Sequence, residues 1–457
     1  MSLSLIILAA GRGTRMASDL PKVLHEVAGA PLIGHAMMAG GALSPEHCVV
    51  VTGHGGEMVA DRVHGISPGA RIAQQEQQLG TAHAVGQAGD ALEGFCGDAI
   101  VLYGDTPFIR PETLRRMLER RRDGADVVVL GFEPAEPGRY GRLVVEGDRL
   151  TRIVEAKDAS PDELAITLCN SGVVCADWKT LVALIGRVGN DNANGEYYLT
   201  DIVGLAAGDG LRCAVEICNE AETMGINSRA ELARAEAAYQ DGARARAMAD
   251  GATLTAPETV FFAHDTRLGR DVSVEPHVVF GPGVTVADGA RLRAFSHLEG
   301  CHVGAGAVIG PYARLRPGTR IGAQARIGNF VETKNAELGD HAKINHLSYV
   351  GDARIGAEAN IGAGTITCNY DGVFKHHTEV GAGAFIGTNT ALVAPVDVGA
   401  GAMTAAGSVI TGNVPDGALG IARAPQVNKP GLARRMRDKL LALRAKRSKQ
   451  NTHGLDN

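Results

Sequence analysis

The chain has 457 residues, 45% apolar and 21% charged, a composition that fits two or three globular domains. Its formal net charge of −6 excludes a protein that holds nucleic acid through its overall charge. No stretch approaches the roughly 20 apolar residues of a membrane span.

Eight cysteines (Cys48, Cys96, Cys169, Cys175, Cys213, Cys218, Cys301 and Cys368) are scattered with no Cys-x-x-Cys pair. In so long a chain this spacing fits reduced thiols in a cytoplasm better than a disulfide framework or a zinc site. The first element is Leu5-Ile6-Ile7-Leu8, a continuous apolar run of the kind a buried parallel strand requires. Leu3–Ala10 has the apolarity of a short signal core, but it lacks a basic leader and runs into Gly11-Arg12-Gly13, so it reads as a strand. The turn Ala9-Ala10-Gly11-Arg12-Gly13-Thr14-Arg15-Met16, followed by Pro21-Lys22-Val23-Leu24, is small and glycine-rich. Such a turn lets backbone N–H groups approach phosphates, while Arg15 and Lys22 neutralise them. It is not a dinucleotide fingerprint, whose third glycine would fall on Met16, nor a Walker A loop, which needs Gly-Lys-Ser/Thr. Taken as a lone Gly-x-Gly, it is equally an ordinary strand–loop–helix turn.

Further along, Ala99–Leu102 is another apolar run, and it leads into Tyr103-Gly104-Asp105. A carboxylate at the C-terminal end of a strand stands where an α/β sheet carries its site chemistry. Asp105 also suits Mg²⁺, a hard cation that takes oxygen ligands and substrate phosphates. The other reading, a helix N-cap, is disfavoured by the Thr106-Pro107 that follows.

The string Leu8-Ala9-Ala10-Gly11-x-Gly13-Thr14-Arg15-Met16 with Pro21-Lys22 resembles the signature of the sugar nucleotidyltransferases, which join a nucleoside triphosphate to a sugar 1-phosphate. The resemblance implies that Leu8, Ala9, Ala10, Gly11, Gly13, Lys22 and Tyr103 contact the nucleotide, with Arg15 and Lys22 at the reacting phosphates. Gln75 and the Leu79-Gly80-Thr81 stretch would read the nucleobase. Gly141 in Tyr140-Gly141-Arg142, Glu155 in Val154-Glu155-x-Lys157 and Asn170 in Asn170-Ser171-Gly172 would face the sugar. Asn227 in Gly225-Ile226-Asn227 would be a second metal ligand beside Asp105, and Gly195–Asp201 completes the set.

From Ser228 to about Asp250 the chain is alanine-rich. Ser228-x-x-Glu231 has the spacing of a capping box, and Leu232, Ala235, Ala238 and Tyr239 fall near one stripe, which predicts a helix linking two domains. After it, from about Thr266 to Val414, aliphatic residues recur at every sixth position. They run from Leu268 through Val274, Phe280, Val286, Leu292 and Leu298, then from Val303 to Ile327, and again from Val380 to Val398. An α-helix cannot hold a period of six on one face, and a hairpin meander needs a period of two. Six suits short strands around a three-sided solenoid, with the aliphatic inside, a small residue at the corner and glycine taking the unusual backbone angles. The pattern breaks twice. Around Asn329–Asn345 the hexads lose their aliphatics and Glu332, Lys334, Asn345 and His346 appear. Cys368–His377 is an insertion, and insertions project from one face of a solenoid. His376-His377 offers metal ligands, but adjacent histidines rarely turn to one ion and no third ligand is evident.

This repeat resembles the left-handed parallel β-helix of the hexapeptide-repeat acyltransferases, typically trimers with sites in the clefts between helices. A nucleotidyl domain followed by such a helix resembles, over nearly the full chain, a family of two-site enzymes. The resemblance implies acetylation of glucosamine 1-phosphate from acetyl-CoA, then Mg²⁺-dependent uridyl transfer from UTP to N-acetylglucosamine 1-phosphate. By position, His346 would be the general base, since a neutral imidazole suits removal of the amine's proton. Arg316, Lys334, Tyr349, Asn360 and Lys375 would hold glucosamine 1-phosphate. Ala363, Asn369, Tyr370, Thr388, Ala406 and Arg423 would meet acetyl-CoA, with Asn369 or backbone N–H groups facing the oxyanion. In the nucleotidyl domain, positioning and charge neutralisation by Arg15, Lys22 and Mg²⁺ suffice for in-line attack on the α-phosphorus.

The expected architecture is therefore a Rossmann-like α/β nucleotidyltransferase domain at 1–227, a linker helix at 228–250 and a left-handed parallel β-helix at 251–457. The expected assembly is a cytoplasmic homotrimer acting on small molecules, with no nucleic-acid or membrane partner. Gly431–Asn457 carries eight Arg/Lys against two Asp, and reads as a basic helix that is either a solvated tail or an arm for phosphates such as those of coenzyme A. Two alternatives stand beside this reading: a nucleotidyltransferase whose solenoid is only an assembly platform, and a regulatory scaffold without chemistry. Arg15, Lys22 and Asp105 argue against the scaffold; the His346 segment and the 368–377 loop argue against the platform.

Overall fold

The computed structural model describes residues 2–11 and 13–452, so Arg12 of the glycine-rich turn and the last residues of the basic tail lie outside it. The chain forms two compact units, Met1–Ala305 and Gly306–Asn457.

The first unit is built on a sheet. Its strands are β1 (Leu3–Ala9), β2 (His47–Thr52), β3 (Arg71–Gln74), β4 (Asp98–Tyr103), β5 (Val127–Phe132), the hairpin β6 (Arg142–Glu146) and β7 (Arg149–Val154), β8 (Cys169–Asp177) and β9 (Cys213–Cys218). Their order is β9-β5-β8-β4-β1-β2-β3, with the hairpin attached through β8 and only β8 antiparallel to its neighbours in that row. Along β1, Leu5 and Ile7 join a buried cluster with Val50, Ile100 and Leu102, while Ile6 and Leu8 join another with Val49, Val51 and Val101. Both faces are covered, which is why the strand reads as an unbroken apolar run. The order reverses at β1, where Leu8 pairs with Val51 on one side and Tyr103 on the other. That switch point, at the carboxyl ends of the strands, is where open α/β sheets bind ligands.

The helix Arg229–Ala249 forms where predicted, with Leu232, Ala235 and Tyr239 turned to the core. Ala238 is exposed, and Glu231 reaches Asn227 rather than Ser228, so the capping box does not close. Ser228 caps it by accepting from the Glu231 N–H at 3.3 Å, and Glu231 in turn accepts from the Asn227 N–H at 2.7 Å. Glu236 accepts from the Ala28 N–H at 2.7 Å, and Gln240 exchanges two hydrogen bonds with the Phe262 backbone, at 2.7 and 2.8 Å. The coils that follow bury Leu254 and Val260 before Val274, so the solenoid interior starts earlier than the hexad count, and Leu268 is only half-buried.

The second unit continues as a left-handed parallel β-helix. Val308 pairs with Arg326, 18 residues on, and Arg326 with Lys343, 17 residues on. Ile309, Leu315, Ile321, Ile327, Ile386 and Leu392 are buried at the inward positions. Two sequence expectations need correction. First, the repeat does not break at 329–345: Thr333, Leu338, Ile344 and Val350 fill the inward places. Threonine hides there because its hydroxyl finds a partner inside, Thr333 to Thr319 at 3.1 Å and Thr367 accepting from the Gly351 N–H at 2.8 Å. The interruption that does occur is at the loop, where Asn360 pairs with Phe385, a step of 25 rather than 17 or 18. Second, most glycines after the inward residue are not there for their backbone angles. Gly310, at φ +90°, is an exception that does take the left-handed angles, but Gly322, Gly328, Gly356, Gly362, Gly381, Gly387 and Gly399 are absent from that region. A Cβ on Gly328 would lie 2.0 Å from the Asn345 oxygen, and one on Gly356 2.4 Å from the Ala382 nitrogen, so it is the next coil that forbids a side chain. The left-handed corners are taken instead by Tyr312, Phe330, Leu347 and similar residues.

The tail forms the predicted basic helix, Leu432–Thr452, exposed from Ala433 onward as far as its side chains are described. All eight cysteines are free thiols. Among the described residues, no helix is long and apolar enough to cross a membrane.

Candidate functional site

The carboxyl ends of β1 and β4 open into a cleft lined by Leu8, Ala9, Ala10, Gly11, Lys22, Gln75, Gly80, Thr81, Tyr103 and Asp105, all named from sequence. A Cβ on Gly11 would meet nothing within 4 Å, so the backbone there faces open space. Gly13 adopts φ +59°, and a Cβ on it would fall 2.6 Å from the Lys22 Cβ; glycine is what lets the turn close onto the lysine stem. Arg15 lies on the short turn Thr14–Met16, exposed and outside the residues that line the cleft.

Asp105 and Asn227 meet although 122 positions separate them in the sequence, 227 − 105. The Lys22 ammonium donates to the Asp105 carboxylate and, at 2.9 Å, to Asn227 Oδ1. The Ile226 N–H donates to the Asp105 carbonyl at 3.0 Å, which ties the two segments. Asn227 is held from the other side by Glu231 of the helix cap. One carboxylate and one amide oxygen gathered on a single cation form a donor pair suited to a hard divalent ion. Among the described residues no three His, Cys, Asp or Glu side chains converge to hold a metal alone, so such an ion would complete its shell from phosphates and water.

Where the sequence places nucleobase contacts, Gln75 is buried, and its amide donates to the Gly80 carbonyl at 3.1 Å and to His83 Nδ1 at 2.9 Å. Gly80 sits at φ +121°, with Tyr197 backbone atoms 2.5 and 2.7 Å from where a Cβ would stand. Of the residues expected to face the sugar, which are not among those lining the cleft, the Asn170 N–H donates to the Gly141 carbonyl at 2.8 Å, and Glu155 accepts from the Thr200 hydroxyl at 3.3 Å. Burial pushes the Glu155 carboxyl upward; the Thr200 bond opposes this, and Asp158 and Asp201 reinforce it. Burial also drives the Tyr103 phenol up, helped by Asp105 and Glu155, so it stays a neutral donor. Gly172, at φ +89°, lets the chain pass Tyr103, whose Cε2 would be 2.6 Å from a Cβ there.

A second group of polar residues lies on the second unit. His346 ends a strand at an exposed corner, and its Nδ1 meets Asn329 Oδ1 at 2.6 Å, its register partner one coil below. An amide oxygen only accepts, so Nδ1 carries the proton and Nε2 keeps its lone pair for an outside donor. Around the corner, Tyr349 pairs with Glu332, and Glu332 accepts from Arg316 Nη1 at 2.8 Å. Lys334 stands beside Lys375, whose ammonium, ahead of burial and Arg316, lowers the Lys334 pKa. Lys334, Lys375 and Arg316 thus gather positive charge on this face, with Arg316 already paired to Glu332. Asn360 lies in the other sheet, between Lys343 and Phe385.

The inserted loop is a built turn. Asn369 is buried and donates its amide to Asp352, and the Tyr370 hydroxyl donates to the Gly372 carbonyl at 2.6 Å. Burial would raise the Asp352 carboxyl, but hydrogen bonds from Asn335 and Asn369 and the charges of Lys375 and Lys334 outweigh it and hold it low. Asp371 accepts from the N–H groups of Val373 and Phe374, at 2.8 and 2.7 Å, and from His376 at 2.7 Å, which with those backbone bonds brings its carboxyl to about 2. His376 and His377 turn to different carboxylates, Asp371 and Glu379.

Lys343 pairs with Asn360, Asn360 with Phe385 and Phe385 with Met403. That register stacks His346, Ala363, Thr388 and Ala406 at one corner of successive coils, with Arg423 exposed beyond the last strand. Sequence reasoning missed Gln78, which lines the first cleft beside Glu196 of the Gly195–Asp201 stretch, and the partner roles of Asn329 and Asp352 in the second group. Asn329 was findable from the coil step alone, 346 − 17. Gln78 was not, because nothing in the run Gln74–Gln78 says which glutamine faces inward.

The MobA-like NTP transferase domain family matches residues 5–164, and the bacterial transferase hexapeptide family matches residues 300–335. The chain is 60% identical over 447 residues to a protein of Jannaschia sp. (strain CCS1) named "Bifunctional protein GlmU", covering 98% of each chain. The protein of the same name from Ruegeria sp. (strain TM1040) is 62% identical over 449 residues, 98% of this chain and all of that one. Among solved structures, a UDP-glucose pyrophosphorylase complexed with UDP-glucose aligns with a TM-score of 0.44 and 20% identity, covering 53% of this chain and all of that one.

Proposed function

The chain belongs to the family of the bifunctional GlmU proteins, and on that premise we propose how its two groups of residues divide the synthesis of UDP-N-acetylglucosamine. It is a bifunctional transferase. One activity acetylates glucosamine 1-phosphate from acetyl-CoA; the other transfers uridylyl from UTP to N-acetylglucosamine 1-phosphate and releases pyrophosphate. The observation that carries the uridyl half is the convergence of Asp105, Asn227 and Lys22 at the switch point of the sheet. For the acetyl half it is His346 oriented by Asn329 beside a coil rich in cations. The direct test assays one purified chain for thiol release from acetyl-CoA with glucosamine 1-phosphate, and for pyrophosphate release from UTP with N-acetylglucosamine 1-phosphate. Absence of thiol release would favour the monofunctional reading.

In the uridyl site Gln75, Gly80 and Thr81 hold the base, and Glu155, Asn170 and Gly141 hold the sugar. Lys22, with Arg15 from its exposed turn, takes charge from the phosphates. The family uses a divalent metal; we assign Mg²⁺ to Asp105 and Asn227, where it would neutralise phosphate charge and help align them. The phosphate of N-acetylglucosamine 1-phosphate then attacks the α-phosphorus in line, and positioning does most of the work. In the acetyl site Arg316, Lys334 and Lys375 hold the sugar phosphate with Tyr349 and Asn360. His346 Nε2 takes the amine proton, and Ala363, Thr388, Ala406 and Arg423 line the path of acetyl-CoA with Tyr370. Asn369, engaged by Asp352, fixes the loop, which leaves backbone N–H groups to face the oxyanion.

The working form is a homotrimer. Tyr312, Phe330 and Leu347 make an apolar edge leading to His346, 46, 56 and 62% exposed, with the two rings stacked at 5.2 Å. Such an edge on a repeat protein marks an interface. Sedimentation equilibrium should give three times the mass of the 457-residue chain; a monomer with full acetylation would remove the shared-cleft reading. Eight free thiols fit a reducing compartment, and fractionation should recover the enzyme from the cytoplasm.

The domains at 1–227 and 251–457 are separable only if the helix between them stays with the first. Glu231 holds Asn227, Arg229 donates to the Met16 carbonyl at 3.3 Å, and Glu236 holds Ala28. A fragment 1–250 should therefore keep uridyl transfer, and a fragment 1–227 should lose it by tenfold or more. Equal rates from the two would show that the helix does not support the site.

A further inference from the structure

The Lys22 ammonium touches both oxygens assigned to the metal. This is a half-buried arrangement, the side chains of Lys22 and Asp105 being 11% and 20% exposed. Each member is held in place. The glycine turn closes on the lysine stem at Gly13, Asp105 is tied through its carbonyl to Ile226, and Asn227 is tied through its N–H to Glu231. A divalent cation on the same two oxygens would stand against an ammonium bonded to both, and like charges at that range repel strongly where water is scarce. The two cations cannot share the pair, so one must leave.

We propose that Lys22 is a placeholder for the divalent cation: it occupies the Asp105–Asn227 pair until a phosphate group offers its ammonium another partner. The metal then enters with the nucleotide and not before it. The proposal rests on the reading of Asp105 and Asn227 as metal ligands. It gives one charge two successive tasks. Before nucleotide arrives, Lys22 keeps the Asp105 carboxylate from standing unpaired in a half-buried cleft, which would be costly. Afterwards the same ammonium is released, close at hand, to meet the phosphate. The apparent metal affinity of a site that is open only a fraction of the time falls by that fraction. A lysine that holds the pair in nine molecules of ten would weaken metal binding about tenfold.

The test uses the full chain and Mn²⁺, with free ion read from its electron paramagnetic resonance signal. Titrations are run without nucleotide and with the α,β-methylene analogue of UTP. Wild type should bind Mn²⁺ poorly alone and at least tenfold tighter with the analogue. Lys22→Met should bind Mn²⁺ alone at least tenfold tighter than wild type and gain less from the analogue. Lys22→Gln is the second neutral variant, and thermal melts report that both are folded. Folded variants that bind Mn²⁺ alone no tighter than wild type overturn the placeholder. Asp105→Asn separates the two readings. If it binds Mn²⁺ with the analogue as wild type does, Asp105 is no metal ligand and the proposal falls with that assignment. If it loses binding while the Lys22 variants gain none, only the placeholder falls.

Discussion

Replacing Asp105 by alanine should cut uridyl transfer by roughly 10²–10³ and leave acetylation at the wild-type rate. Several kcal/mol of charge stabilisation at the phosphates depend on a correctly held divalent ion, and each 1.4 kcal/mol is about a factor of ten in rate. Asp105 supplies the only formal negative charge of the donor pair, since Asn227 offers an amide oxygen. The variant should also leave the fold intact. The backbone carbonyl of Asp105, and not its side chain, carries the bond to Ile226. The acetylation residues belong to the other compact unit. Pyrophosphate release followed across a Mg²⁺ series is the measurement. A variant that matches wild type at the same Mg²⁺ concentration would take Asp105 out of the site.

His346→Ala should lower acetylation by roughly 10²–10⁴, the contribution of a positioned general base, with uridyl transfer unchanged. The geometry sharpens this beyond loss of a base. Asn329 sets the tautomer by accepting from Nδ1. Asn329→Ala should therefore reduce acetylation by a smaller factor, through a ring free to turn, and Asn329→Asp should keep the orientation. The pH profile decides between a base and a mere contact. On the acid side the wild type loses rate as the imidazole takes a proton, and His346→Ala should show no such limb. Should the limb persist, proton removal belongs elsewhere, and His376, bonded to Asp371, is the group to examine next.

The architecture was legible in two patterns of different origin. The unbroken apolar run of β1 announces a strand covered on both faces, and the clusters around Leu5 and Ile6 bear that out. The hexad announces a coil because its period belongs to no helix or meander. What the hexad count concealed was chemical. A buried threonine with an internal partner does the work of valine, so Thr333 and Thr367 read as gaps while the coil ran on. Glycines after the inward residue suggested special backbone angles, whereas the next coil's backbone is what leaves no room for a Cβ. For the cleft, a strand-end carboxylate pointed to Asp105 from first principles. Asn227 came only from family likeness, because nothing local in Gly225-Ile226-Asn227 says that it folds back onto Asp105. Partners that matter through orientation, such as Asn329, carry no motif of their own and become visible only when coil is laid on coil.

The stacked corner that carries His346, Ala363, Thr388 and Ala406 also acts as a ruler. Neighbouring strands of such a ladder are ~4.8 Å apart, so each coil is a graduation of that length, and His346 to Ala406 spans three of them, or ~14 Å. A substrate laid along this edge is measured in whole steps. On the proposed reading its reacting carbonyl sits at the His346 mark while its far end reaches toward Ala406. Deleting one complete coil between Phe385 and Met403, Thr388 with it, would shorten the scale by one division. The acyl carrier selected by such a protein would then be shorter by the same amount, with no change to the residues that perform the chemistry.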